Sequence, residues 1–126
     1  MATVNQSAIR SLLRRLKTTT HGDILGSALV STDGYLMASD IREFIDDDRF
    51  SSMCASLLAL ADHLLNEVDI GVMQQVMIMG SDGFSVLTYA GPDAVLALSA
   101  SPKAMQGRVL MESKRTAGEI AALLAG

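Results

Sequence analysis

The sequence predicts an α+β fold, a five-stranded antiparallel sheet between helices in the order α-β-β-α-β-β-β-α. Short apolar runs at 72–79, 84–90 and 94–100 are separated only by the turn-forming segments 80–83 and 91–93. Runs this short and this close indicate an antiparallel meander. The runs also lack an alternating set of polar residues, so both faces of the sheet must be covered. Helices in the rest of the chain supply that cover.

Length and composition predict one domain that spans residues 1–126. Hydrophobic residues make up 49% of the chain and charged residues 19%, an apolar surplus that suggests a buried interface. No apolar stretch is long enough for a membrane span and no secretory signal pattern is present, so we expect a cytoplasmic location. The single cysteine cannot form an internal disulfide. The net charge of −4 argues against general nucleic-acid binding.

The first half of the chain predicts a helix and a hairpin. Thr3 and Gln6 have the spacing of a capping box, and apolar residues then recur at helical intervals up to Leu16. This helix ends near the threonines at 18–20. Strand-like runs at 26–31 and 35–39 follow, on either side of an Asp-Gly turn.

A second helix is predicted over residues 49–68, capped at its start by one of the three aspartates at 46–48. It carries two distinct sides. One is an apolar stripe, and the other is a strip of small residues that would allow another backbone to approach closely. The stripe consists of Phe50, Met53, Leu57, Leu60, Leu64 and Val68, and the strip of Ser51, Ser52, Ala55, Ser56 and Ala59.

A third helix closes the chain. Ser101 and Pro102 predict its N-cap and first position, because proline tolerates the first turn of a helix. Its apolar face consists of Leu110, Ala117, Ile120, Ala121 and Leu124.

No catalytic, cofactor or metal signature occurs in the sequence, so we predict no enzyme activity, no cofactor and no metal. His21 is interpreted as a turn residue and His63 as a surface or interface residue. Cys54 is interpreted as a small buried hydrophobe. Met73, Met77 and Met79 admit two interpretations, core filling and an adaptable binding surface, and core filling is favoured.

With this order of elements, three segments resemble the roadblock/LC7 family. Residues 26–39 are similar to the first hairpin of that family, and residues 75–80 and 84–98 are similar to its closing meander. The resemblance extends from about residue 7 to residue 124. Its motifs are small and apolar residues around glycine turns, which are weak singly and stronger as an ordered set.

The resemblance implies a sheet with helices one and three on one face and helix two on the other. It also implies a homodimer in which the third strands pair edge to edge and the second helices lie side by side. An unprotected edge strand is an aggregation hazard unless it is paired, which agrees with this implication. The expected dimer residues are Gln75, Met77, Met79, Ser52, Ala55, Ser56 and Ala59.

The resemblance further implies a non-enzymatic regulator or scaffold that binds a small Ras-like GTPase and modulates its nucleotide state or location. The alternative is a small-molecule sensor of the PAS or profilin-like kind, since these share a similar sheet. The GTPase would dock on the surface that carries the second helices. The expected contact residues are Arg49, Ser52, Ser56, Ala59, Asp62, His63 and Asn66.

Overall fold

The computed structural model describes residues 6–41 and 46–126. It contains three helices and five strands in the predicted order. The elements are α1 (Gln6–Thr19), β1 (Ile24–Ser31), β2 (Leu36–Asp40), α2 (Asp47–Glu67), β3 (Gln75–Gly80), β4 (Gly83–Tyr89), β5 (Ala94–Ala100) and α3 (Gln106–Ala125).

The five strands form one antiparallel sheet in the order β2-β1-β5-β4-β3. β5 lies at the centre between β1 and β4, so β2 and β3 are the two edge strands. β3 and β4 are joined by a two-residue turn, with Gly80 opposite Gly83. The β1–β2 turn depends on Gly34, whose φ of 94° is a conformation that residues with a side chain rarely adopt. The fold predicted from the sequence is confirmed.

Two apolar clusters cover the two faces of the sheet, which explains why its strands lack polar alternation. On one face, Leu13 of α1 and Ile120 of α3 are fully buried against Leu29 and Leu96 of the sheet. On the other face, Cys54 and Leu58 of α2 pack in a second cluster of buried residues that includes Ala28, Val30, Leu87, Val95 and Ala97. α1 and α3 therefore share one face, and α2 lies alone on the other.

The predicted aspartate cap of α2 is confirmed, since Asp46 is its N-cap and accepts a hydrogen bond from the Arg49 N–H at 2.9 Å. The helix begins at Asp47, two residues before the predicted start. The capping box proposed for α1 involves Thr3, which lies outside the described residues.

Two predicted boundaries are wrong. The third strand begins at Gln75 rather than residue 72, because its pairing with β4 ends where Gln75 lies opposite Thr88. The third helix begins at Gln106 with Met105 as its N-cap, not at Ser101. The Ser101 N–H instead donates to the Asp23 carbonyl at 2.8 Å, which extends the contact between β5 and the start of β1.

The methionine prediction is right at one position and wrong at two. Met73 is 3% exposed and packs under α2, as core filling requires. Met77 and Met79 are 39% and 58% exposed. They lie on an edge strand, where no further strand of the described sheet covers them.

Candidate interaction surface

The buried face of α2 is narrow and is not the apolar stripe. Ser51, Cys54 and Leu58 are its buried residues. Met53, Leu60 and Leu64 of the stripe are 57%, 67% and 64% exposed. Phe50 and Leu57 of the stripe are half-buried against the second cluster. The exposed members of the stripe present a row of large apolar side chains to the surroundings of α2.

This apolar row borders a cleft between α2 and the β3 side of the sheet. The cleft has a volume of about 320 Å³. Met53 and Leu57 form its helical wall, and Ile78 of β3, itself 44% exposed, belongs to its sheet wall. Ser85 is the single side-chain hydroxyl in a lining that is otherwise hydrocarbon and sulfur. The cleft is an apolar contact surface rather than a polar binding pocket.

The free edge of β3 exposes main-chain hydrogen-bonding groups. Because the β3–β4 turn has two residues, Gly80 and Gly83 form the pair that closes the hairpin, and alternate residues bond to β4 from there. The N–H and C=O groups of Gln75, Met77 and Met79 therefore point away from β4. These are the three β3 residues that the family resemblance places at a dimer contact.

The side chains of those three residues lie on the α3 face of the sheet. Gln75 Nε2 donates to Thr88 Oγ1 and to the Leu110 carbonyl, both at 3.1 Å. Gln106 Nε2 lies 3.6 Å from Met79 Sδ. α3 thus holds β3 in place from one side, and Val76 and Ile78 point to the α2 side.

The small-residue strip of α2 lies apart from β3. A Cβ added to Gly34 would lie 3.8 Å from Ser52 Cα and 3.9 Å from Ala55 Cβ, so the strip faces the β1–β2 turn. Ser56 and Ala59 continue it as exposed residues. The structure therefore does not bring the strip together with Gln75, Met77 and Met79.

The expected partner-binding residues lie on the outer side of α2. Among them, Arg49, Ser52, His63 and Asn66 are exposed. Asp62 is half-buried, and its Oδ2 accepts a hydrogen bond from the Tyr89 hydroxyl at 2.6 Å. Burial and the neighbouring Asp62 carboxylate raise the pKa of Tyr89 to about 12.

Cys54 behaves as the sequence predicted. It is 6% exposed, and burial raises the pKa of its thiol to about 11. His21 lies exposed in the turn after α1 with a φ of 52°, in keeping with its interpretation as a turn residue. Within 6–41 and 46–126, no three His, Cys, Asp or Glu side chains are grouped as metal ligands would be.

Comparison with known proteins decides the family. The model of the Roadblock/LC7 domain matches residues 9–100. The chain belongs to the Roadblock/LC7 family. This chain is also similar to the Methanocaldococcus jannaschii protein MJ0310, with 28% identity over 100 residues that cover 79% of this chain and 87% of that protein.

Solved structures show the same Roadblock/LC7 fold. Myxococcus xanthus MglB is similar with a TM-score of 0.87 and 19% identity, covering 96% of this chain and 98% of that one. An MglB with a tetrameric arrangement has a TM-score of 0.82 and 19% identity, covering 98% and 92%. Acanthamoeba castellanii profilin II has a TM-score of 0.57 and 14% identity, covering 94% of each chain. Roadblock/LC7 and profilin chains thus share this arrangement of strands and helices.

Sequence reasoning missed the surface role of the α2 apolar row and of Ile78. One signal was available, because α2 carries large apolar residues around more of its circumference than one buried face needs. A second was the two-residue period of β3, which places Ile78 on the opposite face from Met77 and Met79. No local signal in the sequence pairs Tyr89 with Asp62, which are 27 residues apart.

Proposed function

We propose that this Roadblock/LC7 protein is a non-enzymatic homodimer that binds a small Ras-like GTPase and modulates its nucleotide state or location. The observation that carries the proposal is the coincidence of two unsatisfied surfaces on one side of the molecule. One is the free edge of β3, and the other is the apolar row of α2 beside it. A second copy of the chain satisfies both at once.

The strand contact follows from the chemistry of an open edge. Alternate β3 residues present N–H and C=O groups to solvent, and a second β3 in antiparallel orientation pairs with all of them. Antiparallel pairing of two identical edges requires a twofold axis perpendicular to the sheet. The joined sheet therefore has ten strands, and both α2 helices lie on the same side of it.

The helix contact follows from hydrophobic burial. Met53 and Leu57 line the cleft on the β3 side of α2, and Ile78 continues that surface onto the sheet. Helical spacing places the exposed Leu60 and Leu64 on the same side of α2. We assign the α2 part of the dimer interface to these residues rather than to the strip at Ser52, Ala55, Ser56 and Ala59. The strip lies beside the β1–β2 turn and stays available to a different partner.

We assign the GTPase contact to the outer side of the two α2 helices, referred to below as the α2 face. Arg49, Ser52, Ser56, His63 and Asn66 lie there as exposed residues, and small residues among them allow close approach of another backbone. The α2 face is acidic, since five carboxylates from Asp46 to Glu67 accompany one arginine. It therefore favours a partner with a basic complementary surface.

The test is affinity capture of small Ras-like GTPases encoded by the source organism, loaded with either GDP or GTP. Arg49→Glu is expected to change the affinity for the GTPase at least severalfold while leaving the dimer intact. Ser7→Glu on exposed α1 serves as the matched control, because it also adds a carboxylate but lies on the opposite face. The proposed contact would be contradicted if the wild type, Arg49→Glu and Ser7→Glu bound the GTPase with equal affinity. It would also be contradicted if no such GTPase were retained.

The sensor alternative has one observation in its favour, the cleft of about 320 Å³ under α2. Its lining lacks the convergent polar groups with which small-molecule sites fix their ligand. A second copy at the β3 edge would also contact the cleft opening. A thermal-shift screen with nucleotides and metabolites separates the two functions, because a ligand that binds only the folded chain raises its melting temperature.

A further inference from the structure

Charge is divided between the two faces of the sheet. α1 together with residues 101–125 carries eight basic and two acidic side chains, a formal net charge of +6. α2 with its N-cap carries five acidic side chains and one basic one, a net charge of −4. The net charge of −4 for the whole chain conceals this division. We call the exposed surface of α1, α3 and the turn before α3 the basic face.

The two carboxylates of the basic face are both neutralised by arginines. Glu119 pairs with Arg15 across the two helices, and Glu112 pairs with Arg115 at 2.6 Å within α3. The other exposed cations form no ion pair with a described residue, apart from Lys17, whose Nζ lies 3.7 Å from Asp40 Oδ2. The unpaired exposed cations are Arg10, Arg14, Lys103, Arg108 and Lys114.

Exposed apolar side chains lie among these cations. Met111 is 62% exposed, and it lies one helical turn from Arg108 on one side and from Lys114 and Arg115 on the other. Met105, at the start of α3, is 69% exposed. Basic residues interspersed with exposed apolar ones are the pattern of surfaces that lie on membranes.

We propose that the basic face docks peripherally on anionic lipid headgroups at a membrane surface. Each lysine or arginine near such a surface is attracted by its negative potential, and a methionine at the same level can enter the boundary between headgroups and acyl chains. The cations are spread over two helices rather than gathered around a pocket, which suits an extended anionic surface. A nucleic-acid backbone would satisfy the cations but would leave the methionines without a partner.

This inference rests on the proposed function, because the proposed dimer sets both the affinity for the lipid surface and the orientation of the protein on it. The perpendicular twofold axis places both basic faces on one side of the joined sheet and both α2 helices on the other. Docking would then double the number of cations at the lipid surface and direct the α2 face away from it. A GTPase bound to the α2 face would then be held near the membrane, on the side of the dimer that faces away from the lipid.

No helix of the described residues is long and apolar enough to cross a bilayer, so the contact concerns the surface alone.

The test is co-sedimentation of the full chain with vesicles of equal parts phosphatidylglycerol and phosphatidylcholine, against vesicles of phosphatidylcholine only. We expect binding to the anionic vesicles alone. We also expect it to weaken steeply as salt rises toward about 1 M, where the screening length is about 3 Å.

Arg108→Glu combined with Lys114→Glu is expected to weaken vesicle binding at least about 30-fold, from roughly fivefold per cation lost. Met111→Ser is expected to reduce the binding that survives at high salt. The matched control combines Arg49→Glu, His63→Glu and Asn66→Asp on the α2 face, which lowers the formal net charge equally and should leave vesicle binding unchanged.

Three results would overturn the proposal. The first is equal binding to both kinds of vesicle. The second is an equal loss of vesicle binding for the control and the basic-face variant. The third is binding to duplex DNA that is tighter than vesicle binding, displaces the vesicles and is unchanged by Met111→Ser. The dimer mass and GTPase capture of the basic-face variant are measured in parallel. A wild-type monomer that still binds anionic vesicles would remove the proposed function and leave the lipid contact standing.

Discussion

Tyr89 and Asp62 join β4 to the C-terminal half of α2 through one short hydrogen bond between side chains. α2 buries only a narrow face against the sheet, so a charge-assisted bond at its exposed flank helps to fix the direction of the helix. The position of the outer α2 residues, including His63 and Asn66, depends on that direction. A single phenol thus affects the shape of the α2 face.

Tyr89→Phe is expected to lower the free energy of unfolding by about 1 kcal/mol, because Asp62 loses its donor but remains partly solvated. The raised pKa of Tyr89 stabilises the folded state fully below pH 10, and that contribution disappears as pH rises from 10 to about 12. Urea unfolding at pH 8 and at pH 11 measures both effects.

The difference between wild type and Tyr89→Phe should shrink at the higher pH. Tyr35→Phe is the control, because Tyr35 is 72% exposed and should give wild-type values at both pH values. A difference between wild type and Tyr89→Phe that is constant with pH would contradict the role given to the hydroxyl.

The reactivity of the Cys54 thiol measures how tightly α2 packs against the sheet. Its thiol is buried and its pKa is raised to about 11, so the native protein should react slowly with a thiol reagent at pH 8. Because Cys54 lines the cleft that a second copy would adjoin, its reaction should also slow as protein concentration rises. Absorbance of the released chromophore measures the rate, and fast labelling at every concentration would contradict this account.

At the scale of the elements, α2 carries both buried and exposed leucines. Leu58 is 2% exposed and belongs to the core, whereas Leu60 and Leu64 are more than half exposed. Leu58→Ala leaves a cavity in a packed core, and Leu64→Lys removes an exposed apolar group that the proposed dimer would bury. The first change should therefore lower the stability of the chain, and the second should prevent the dimer.

Leu58→Ala is expected to lower the unfolding free energy by about 2–4 kcal/mol. Leu60→Lys with Leu64→Lys is expected to change the stability of the isolated chain by less than about 0.5 kcal/mol but to abolish the dimer. Dilute-solution urea unfolding and sedimentation equilibrium measure these two quantities. A dimer that survives both lysines would remove α2 from the interface.

Elements were easier to predict than their surfaces. Strand spacing and Asp-Gly turns set the order of β1 to β5, because those signals are local and depend on backbone conformation. Ser101 was a misleading N-cap because its hydroxyl accepts a hydrogen bond from the Lys103 N–H at 3.2 Å in a short turn that ends before α3 begins. Helical periodicity locates the apolar stripe of α2, but which of its residues are exposed depends on how the helix crosses the sheet.

At the scale of the whole molecule, the sheet separates two surfaces of opposite charge. The family resemblance led to the correct fold and to the three β3 residues whose main chains point outward, Gln75, Met77 and Met79. The overall net charge conceals that the basic residues lie on one face, because that depends on which helices share a face, and only the family resemblance implied that α1 and α3 do. The central claim is that two copies join through β3 and thereby create the α2 face.

Amide hydrogen exchange of β3 tests that claim most directly. In a dimer, the N–H groups of Gln75, Met77 and Met79 are protected at high protein concentration, and Ile78→Lys removes that protection while β4 and β5 stay protected. In a solitary chain of 13.3 kDa, those three amides exchange rapidly at every concentration. The first result is the one we predict, and the second would contradict the dimer.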